Sequence, residues 1–139
     1  MTTPHTIALL AVLAGAALTT TPLLAHHSFA AEYDANKPIL LKGTVTKMVW
    51  SNPHAWIYLD VKGPDGKVVN WALETGVPNG LYRRGWRKTD LPAGTQLTVE
   101  AYLAKDGTPT ANAANITLPD GRRLFAGSSG TGAPAVFPR

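Results

Sequence analysis

Hydrophobic and polar positions alternate over much of the chain. In residues 55–61 (AWIYLDV), Ala55, Ile57, Leu59 and Val61 share one face of an extended segment, and Trp56, Tyr58 and Asp60 share the other. That period of two is the signature of a strand with one buried face. Residues 95–103 (TQLTVEAYL) repeat it, with Leu97, Val99, Ala101 and Leu103 set against Gln96, Thr98, Glu100 and Tyr102. Residues 40–50 (LLKGTVTKMVW), 68–74 (VVNWALE) and 111–118 (ANAANITL) also read as strands. Between them lie turn signals: Ser51-Asn52-Pro53, Gly63-Pro64-Asp65-Gly66, Leu91-Pro92-Ala93-Gly94 and Asp106-Gly107. Asp120-Gly121 turns the chain once more into residues 122–125. Gly43 inside the first strand predicts a bend or bulge. Residues 78–86 (PNGLYRRGW) predict a short helix, which Gly80 and Gly85 keep short. Three strands, a short helix and two strands is the order of an OB-type barrel. The expected fold is therefore all-β, a small five-stranded OB-like barrel with one short helix between strands three and four. A five- or six-stranded open sandwich is the alternative.

The N-terminus breaks the alternation. Residues 7–18 (IALLAVLAGAAL) are an uncharged apolar run, shorter than the ~20 residues a spanning helix needs. This run fits the core of a signal peptide, with Pro22 and small Ala25 beyond it, although no Lys or Arg precedes it. The alternative is an apolar N-terminal helix in a cytoplasmic protein. The reading adopted is a signal peptide over residues 1–25, an OB-like domain over 26–127 and a disordered Gly/Ser/Pro tail over 128–139. It places the mature protein in the periplasm or outside the cell, with no transmembrane segment. A second possible cut after Ala30 would remove His26 and His27.

Composition narrows the chemistry. At 139 residues the chain suits one domain. Its 13 Gly and 11 Pro favour turns and short strands over long helices. The absence of cysteine excludes disulfides, Cys-ligated zinc or iron–sulfur centres, c-type haem and a Cys nucleophile. Net charge is +4.

Four motifs together resemble a family of small exported bacterial proteins classed as a domain of unknown function. They are His26-His27-Ser28-Phe29, Leu41-Lys42-Gly43-Thr44-Val45, Trp50-Ser51-Asn52-Pro53-His54-Ala55-Trp56 and Arg83-Arg84-Gly85-Trp86. The resemblance runs from about His26 to Gly127. It implies an exported protein with a small β-barrel and brings no activity, substrate or catalytic residue with it.

The histidines offer the sharpest chemistry. After cleavage at Ala25, His26 carries the α-amine, and its amine and imidazole chelate one metal ion together. His27 or His54 would add a further imidazole, giving a nitrogen-rich site of the kind Cu(II) prefers. Glu32 and Asp34 follow closely as outer or axial groups. The plain alternative is a solvated His-His start and a turn-capping His54. A second set comprises Trp50, Asn52, Trp56, Tyr58, Glu74, Arg83, Arg84, Trp86 and Arg87, read as a ligand- or partner-binding surface. On strict alternation Trp56, Tyr58 and Tyr102 lie outside the barrel core, free to stack on a ligand. The alternative is that the N-terminal segment or tail folds over them. The Arg83–Lys88 cluster suits an anionic lipid, a polysaccharide or an acidic partner, or is simply a solvated helix face. Nucleic acid is not expected for an exported protein. The third reading is a hydrolase, since His54 and Glu74 sit at hairpin ends that meet, with Ser51 near. No phosphate-loop or nucleophile-elbow motif accompanies them. The expectation is a monomeric binding or accessory protein, with copper as its possible cofactor and an unknown periplasmic protein or small ligand as its partner.

Overall fold

A computed structural model describes residues 28–127, 132–134 and 136–138. His26 and His27, the whole proposed leader and part of the tail lie outside the described residues. The fold is mostly β-sheet, in the order α1 (Phe29–Glu32), β1 (Tyr33–Val49), β2 (Trp56–Lys62), β3 (Val68–Glu74), α2 (Pro78–Arg83), β4 (Gln96–Ala104), β5 (Thr110–Thr117) and β6 (Arg123–Phe125). Six strands are present where five were expected. The turn at Asp120-Gly121 sends residues 123–125 back along β5 as a short added strand. The sheet order is β3-β2-β1-β4-β5-β6, and β3 also pairs in parallel with β5 through Leu73↔Ala111. Each of β1 to β4 thus has two hydrogen-bonded neighbours, and β5 has three.

β1 joins the two halves. Its N-terminal part pairs with β4 and its C-terminal part with β2. Gly43 belongs to both ladders, opposite Val61 on one side and Leu97 on the other. The core follows the alternation read from sequence. Ala55, Ile57, Leu59, Val99 and Ala101 are fully buried, together with Leu73, Leu81, Ala111 and Ile116.

A second, smaller cluster follows the alternative in which the N-terminal segment and the tail fold over Tyr102. Tyr102 is buried, not outside the packed interior, because Phe29, Tyr33 and Ala114 pack with it on the opposite face of the sheet. The Phe29 ring meets Tyr102 edge-on at 5.4 Å, and Phe137 from the tail lies 5.4 Å from the same ring. Part of the tail expected to be disordered is therefore packed. Lys105 N–H donates to the Glu32 carbonyl, fixing α1 beside the β4–β5 turn.

α2 is shorter than the 78–86 expected, and its end has a defined chemistry. Pro78 opens it, where a missing N–H costs nothing. Gly85 adopts φ +93°, a left-handed conformation that glycine takes readily. Trp86 N–H then reaches Leu81 O and Gly85 N–H reaches Tyr82 O, the paired bonds that close a helix C-terminus. That reversal turns Trp86 inward, where it is 1% exposed, and leaves Arg83, Arg84 and Arg87 exposed.

Candidate functional site

His54 follows the Asn52-Pro53 loop and precedes β2, while Glu74 ends β3. The β2–β3 register places Trp56 opposite Glu74 and so brings the two ends together. His54 Nδ1 lies 2.9 Å from Glu74 Oε1 and 2.9 Å from the Thr75 carbonyl. A carbonyl only accepts, so Nδ1 carries the hydrogen. In the neutral ring Nε2 then holds a lone pair. Among the described residues nothing bonds Nε2, and no buried side-chain nitrogen or oxygen lacks a partner. Nε2 therefore reaches the surface through the 7% of His54 that is exposed.

The second Glu74 oxygen accepts from the Tyr33 hydroxyl. Tyr33 is 4% exposed and Glu74 7%. Burial, the bond to Glu74 and the nearby charges of Glu74, Glu32 and Asp106 together push the Tyr33 hydroxyl far above its ordinary value. The hydroxyl therefore stays protonated in the folded protein and donates. The result is one chain of hydrogen bonds, Tyr33 to Glu74 to His54 to the Thr75 carbonyl, linking the first residue of β1 to the start of β2. Thr75 is itself tied back, its hydroxyl donating to Ala55 O at 2.8 Å.

A prediction follows for Tyr33→Phe. Removing the hydroxyl deprives buried Glu74 of a donor and should lower stability at neutral pH by about 1–3 kcal/mol. The pH sign is also fixed. A hydroxyl whose pKa is raised by folding contributes stability that is complete below pH 10.0, its value outside the fold, and is lost as pH rises beyond it. Urea unfolding from pH 8 to about 11 should show a steeper alkaline loss in the parent chain than in Tyr33→Phe. Parallel curves would remove Tyr33 from this network.

Beside this chain lies a cleft of about 400 Å³, lined by Ala31, Glu32, Tyr33, Trp56, Ala104, Lys105, Asp106 and Thr110. Trp56 is half-buried in its wall. A second cleft of about 380 Å³ includes Lys42, Gly43, Asp60 and Lys62.

The remaining predicted residues scatter. Trp50 packs partly buried against the main core, and Asn52 is exposed in the loop. Tyr58 is half-buried beneath Lys47, whose Nζ lies 4.3 Å from the ring centre. Arg84 stacks on Phe125 at 4.6 Å and donates to Gly127 O at 3.2 Å. Arg87 stacks on Tyr82 at 4.2 Å and donates to Trp86 O at 2.8 Å. Trp86 is a core residue and is withdrawn from the surface set; its Nε1 donates to Phe125 O at 3.1 Å. Asp34 is engaged by Lys37 at 3.8 Å. Ser51 is exposed and makes no hydrogen bond to His54 among the described residues. Tyr33 was missed in the sequence, where it stands between the noted acids Glu32 and Asp34 without a motif of its own.

Among the described residues, no three His, Asp or Glu side chains gather as a metal site, and no helix is long and apolar enough to cross a membrane. A family described as a family of unknown function, DUF6152, matches residues 12–113. The chain belongs to this family. The DUF6152 match begins inside the apolar N-terminal run and ends in β5, so it covers α1, the loop before His54, Glu74 and α2. Neither the curated proteins nor the solved structures gave a match.

Proposed function

We propose that this DUF6152 protein is an exported binding protein on a five-stranded OB-like barrel, and that it holds copper at His54 with the N-terminal histidines. The pairings β1-β2-β3-β5-β4 and back to β1, with β3 parallel to β5, support the barrel. So does α2, placed between β3 and β4. The apolar run 7–18 supports export to the periplasm or beyond.

The observation that carries the metal reading is the orientation of His54. Glu74 and the Thr75 carbonyl hold Nδ1, and Nε2 is left as the ligating atom. A carboxylate on the far nitrogen is the usual way a metal-binding imidazole is held. The same carboxylate is bonded by Tyr33, and Phe29 sits 5.7 Å from the Tyr33 ring. His27 stands two residues before Phe29 in the chain. The His26 amine, the His26 imidazole and one or both of His27 and His54 make a nitrogen-rich set suited to Cu(II).

Cu(II) titration of protein purified through its export route, with its N-terminus fixed by intact mass, tests this. A chain beginning at His26 should bind one ion tightly. His54→Ala should weaken binding at least about tenfold, as should one residue added ahead of His26. Weak binding at several sites, or a mature chain beginning at Ala31, overturns the reading.

A further inference from the structure

The densest run of cations in the chain is Arg83, Arg84, Arg87 and Lys88, four of the 13 Lys+Arg within six residues. The other arginine pair within the described residues is neutralised in place. Arg122 is held by Asp120 at 2.7 Å, and Arg123 is bonded by Glu100. The cluster contains no acid, and the nearest in sequence, Asp90, accepts the Arg87 backbone N–H.

This basic surface is also aromatic. Tyr82 is 57% exposed and Phe125 38%, and each carries a guanidinium on its face, Arg87 and Arg84 respectively. Backbone carbonyls hold both guanidinium groups, so their positions are set before any partner arrives. Buried Trp86 ties the loop to β6 through Phe125 O, and the two ring–arginine pairs flank that bond in the chain, Arg87 beside Trp86 and Arg84 on the Phe125 ring. Neither cleft is lined by these residues, so the surface suits an extended partner better than an enclosed small anion.

We propose that the face formed by Tyr82, Arg83, Arg84, Arg87, Lys88 and Phe125 docks on an anionic phospholipid surface. Arginine pairs well with phosphate oxygens. Aromatic rings settle at the level of the headgroups, where cations meet phosphates and rings meet acyl carbon. Each cation near such a surface contributes enough for about a fivefold change in binding. This face is independent of the copper reading and can stand or fall without it.

Sedimentation with vesicles of phosphatidylcholine alone, and with about one-third phosphatidylglycerol, tests the proposal. The parent and the variants carry the same N-terminus, so any binding by a retained apolar leader is common to all. The parent should bind the anionic vesicles and leave the neutral ones, and salt near 1 M should release it. The double variant R83E/K88E should bind at least about thirtyfold more weakly. The side chains of Arg83 and Lys88 show no hydrogen bond or ion pair among the described residues, so the fold should survive, checked by an unchanged far-UV spectrum. Tyr82→Ser should also weaken binding. Equal binding by parent and double variant overturns the proposal, as does a failure of the parent to bind anionic vesicles. Binding to polyglutamate as tight as to vesicles, and indifferent to Tyr82→Ser, would make the face a site for an acidic protein and would equally overturn it.

Discussion

Trp86→Ala should cost about 3–5 kcal/mol of folding stability, a large share of the roughly 5–15 kcal/mol available to a domain of ordinary stability. The side chain is 1% exposed and belongs to the main core with Leu81, Leu91 and Leu118. Truncation leaves a void that the surrounding strands fill only in part. It also removes the indole N–H that donates to Phe125 O. Trp86→Phe separates these contributions. It keeps much of the packing and loses the bond, so it should cost less than Trp86→Ala by about half or more. Chemical unfolding measures both. A loss below about 1 kcal/mol for Trp86→Ala would mean that the loop after α2 is not fastened as described. The residue also links core to surface. It holds the 82–88 loop against β6, so the alanine variant should loosen the two ring–arginine pairs even under conditions where it stays folded.

Trp86 also shows where legibility in the sequence ended. Its neighbours Arg83, Arg84 and Arg87 are charged, and a tryptophan among them reads as a surface residue until the reversal at Gly85 is known. The period of two placed Ile57, Leu59, Leu97 and Val99 in the interior, because those strands have one face against the main core. The same rule failed at Tyr102, whose face is covered by Phe29 from 73 residues earlier and by Phe137 from the tail. No local pattern reports a cover that arrives from that distance. β6 is three residues long, too short for alternation to show. For the site, hairpin geometry sufficed to pair His54 with Glu74, since the ends of β2 and β3 must meet. Tyr33 did not follow, because it reaches Glu74 across 41 positions of sequence. The fold order was therefore visible in turns and alternation, while the outer layer that completes the site depends on long-range packing.

Gly43→Ala should destabilise the protein by about 3 kcal/mol, at the upper end of what overpacking usually costs. The residue has no unusual backbone angle, so the reason is space alone. A Cβ there would stand 2.2 Å from the Asp60 carbonyl oxygen and 3.0 Å from Leu59 Cγ. The first of these is backbone and cannot rotate aside. β1 would have to move away from β2, and Gly43, like Thr44 after it, is paired to β2 and β4 together, opposite Val61 and Leu97. The strain would thus spread to both halves of the sheet. Gly94 supplies the contrast. It has φ +94°, and a Cβ added there would meet nothing within 4 Å. Gly94→Ala therefore suffers only from an unfavourable backbone conformation, about 1–2 kcal/mol. Unfolding midpoints should rank the parent first, Gly94→Ala second and Gly43→Ala last. Amide exchange should quicken at Val61 and Leu97 in Gly43→Ala, and stay slow there in Gly94→Ala. The reverse ranking would mean that β1 and β2 are not in such close contact at Gly43.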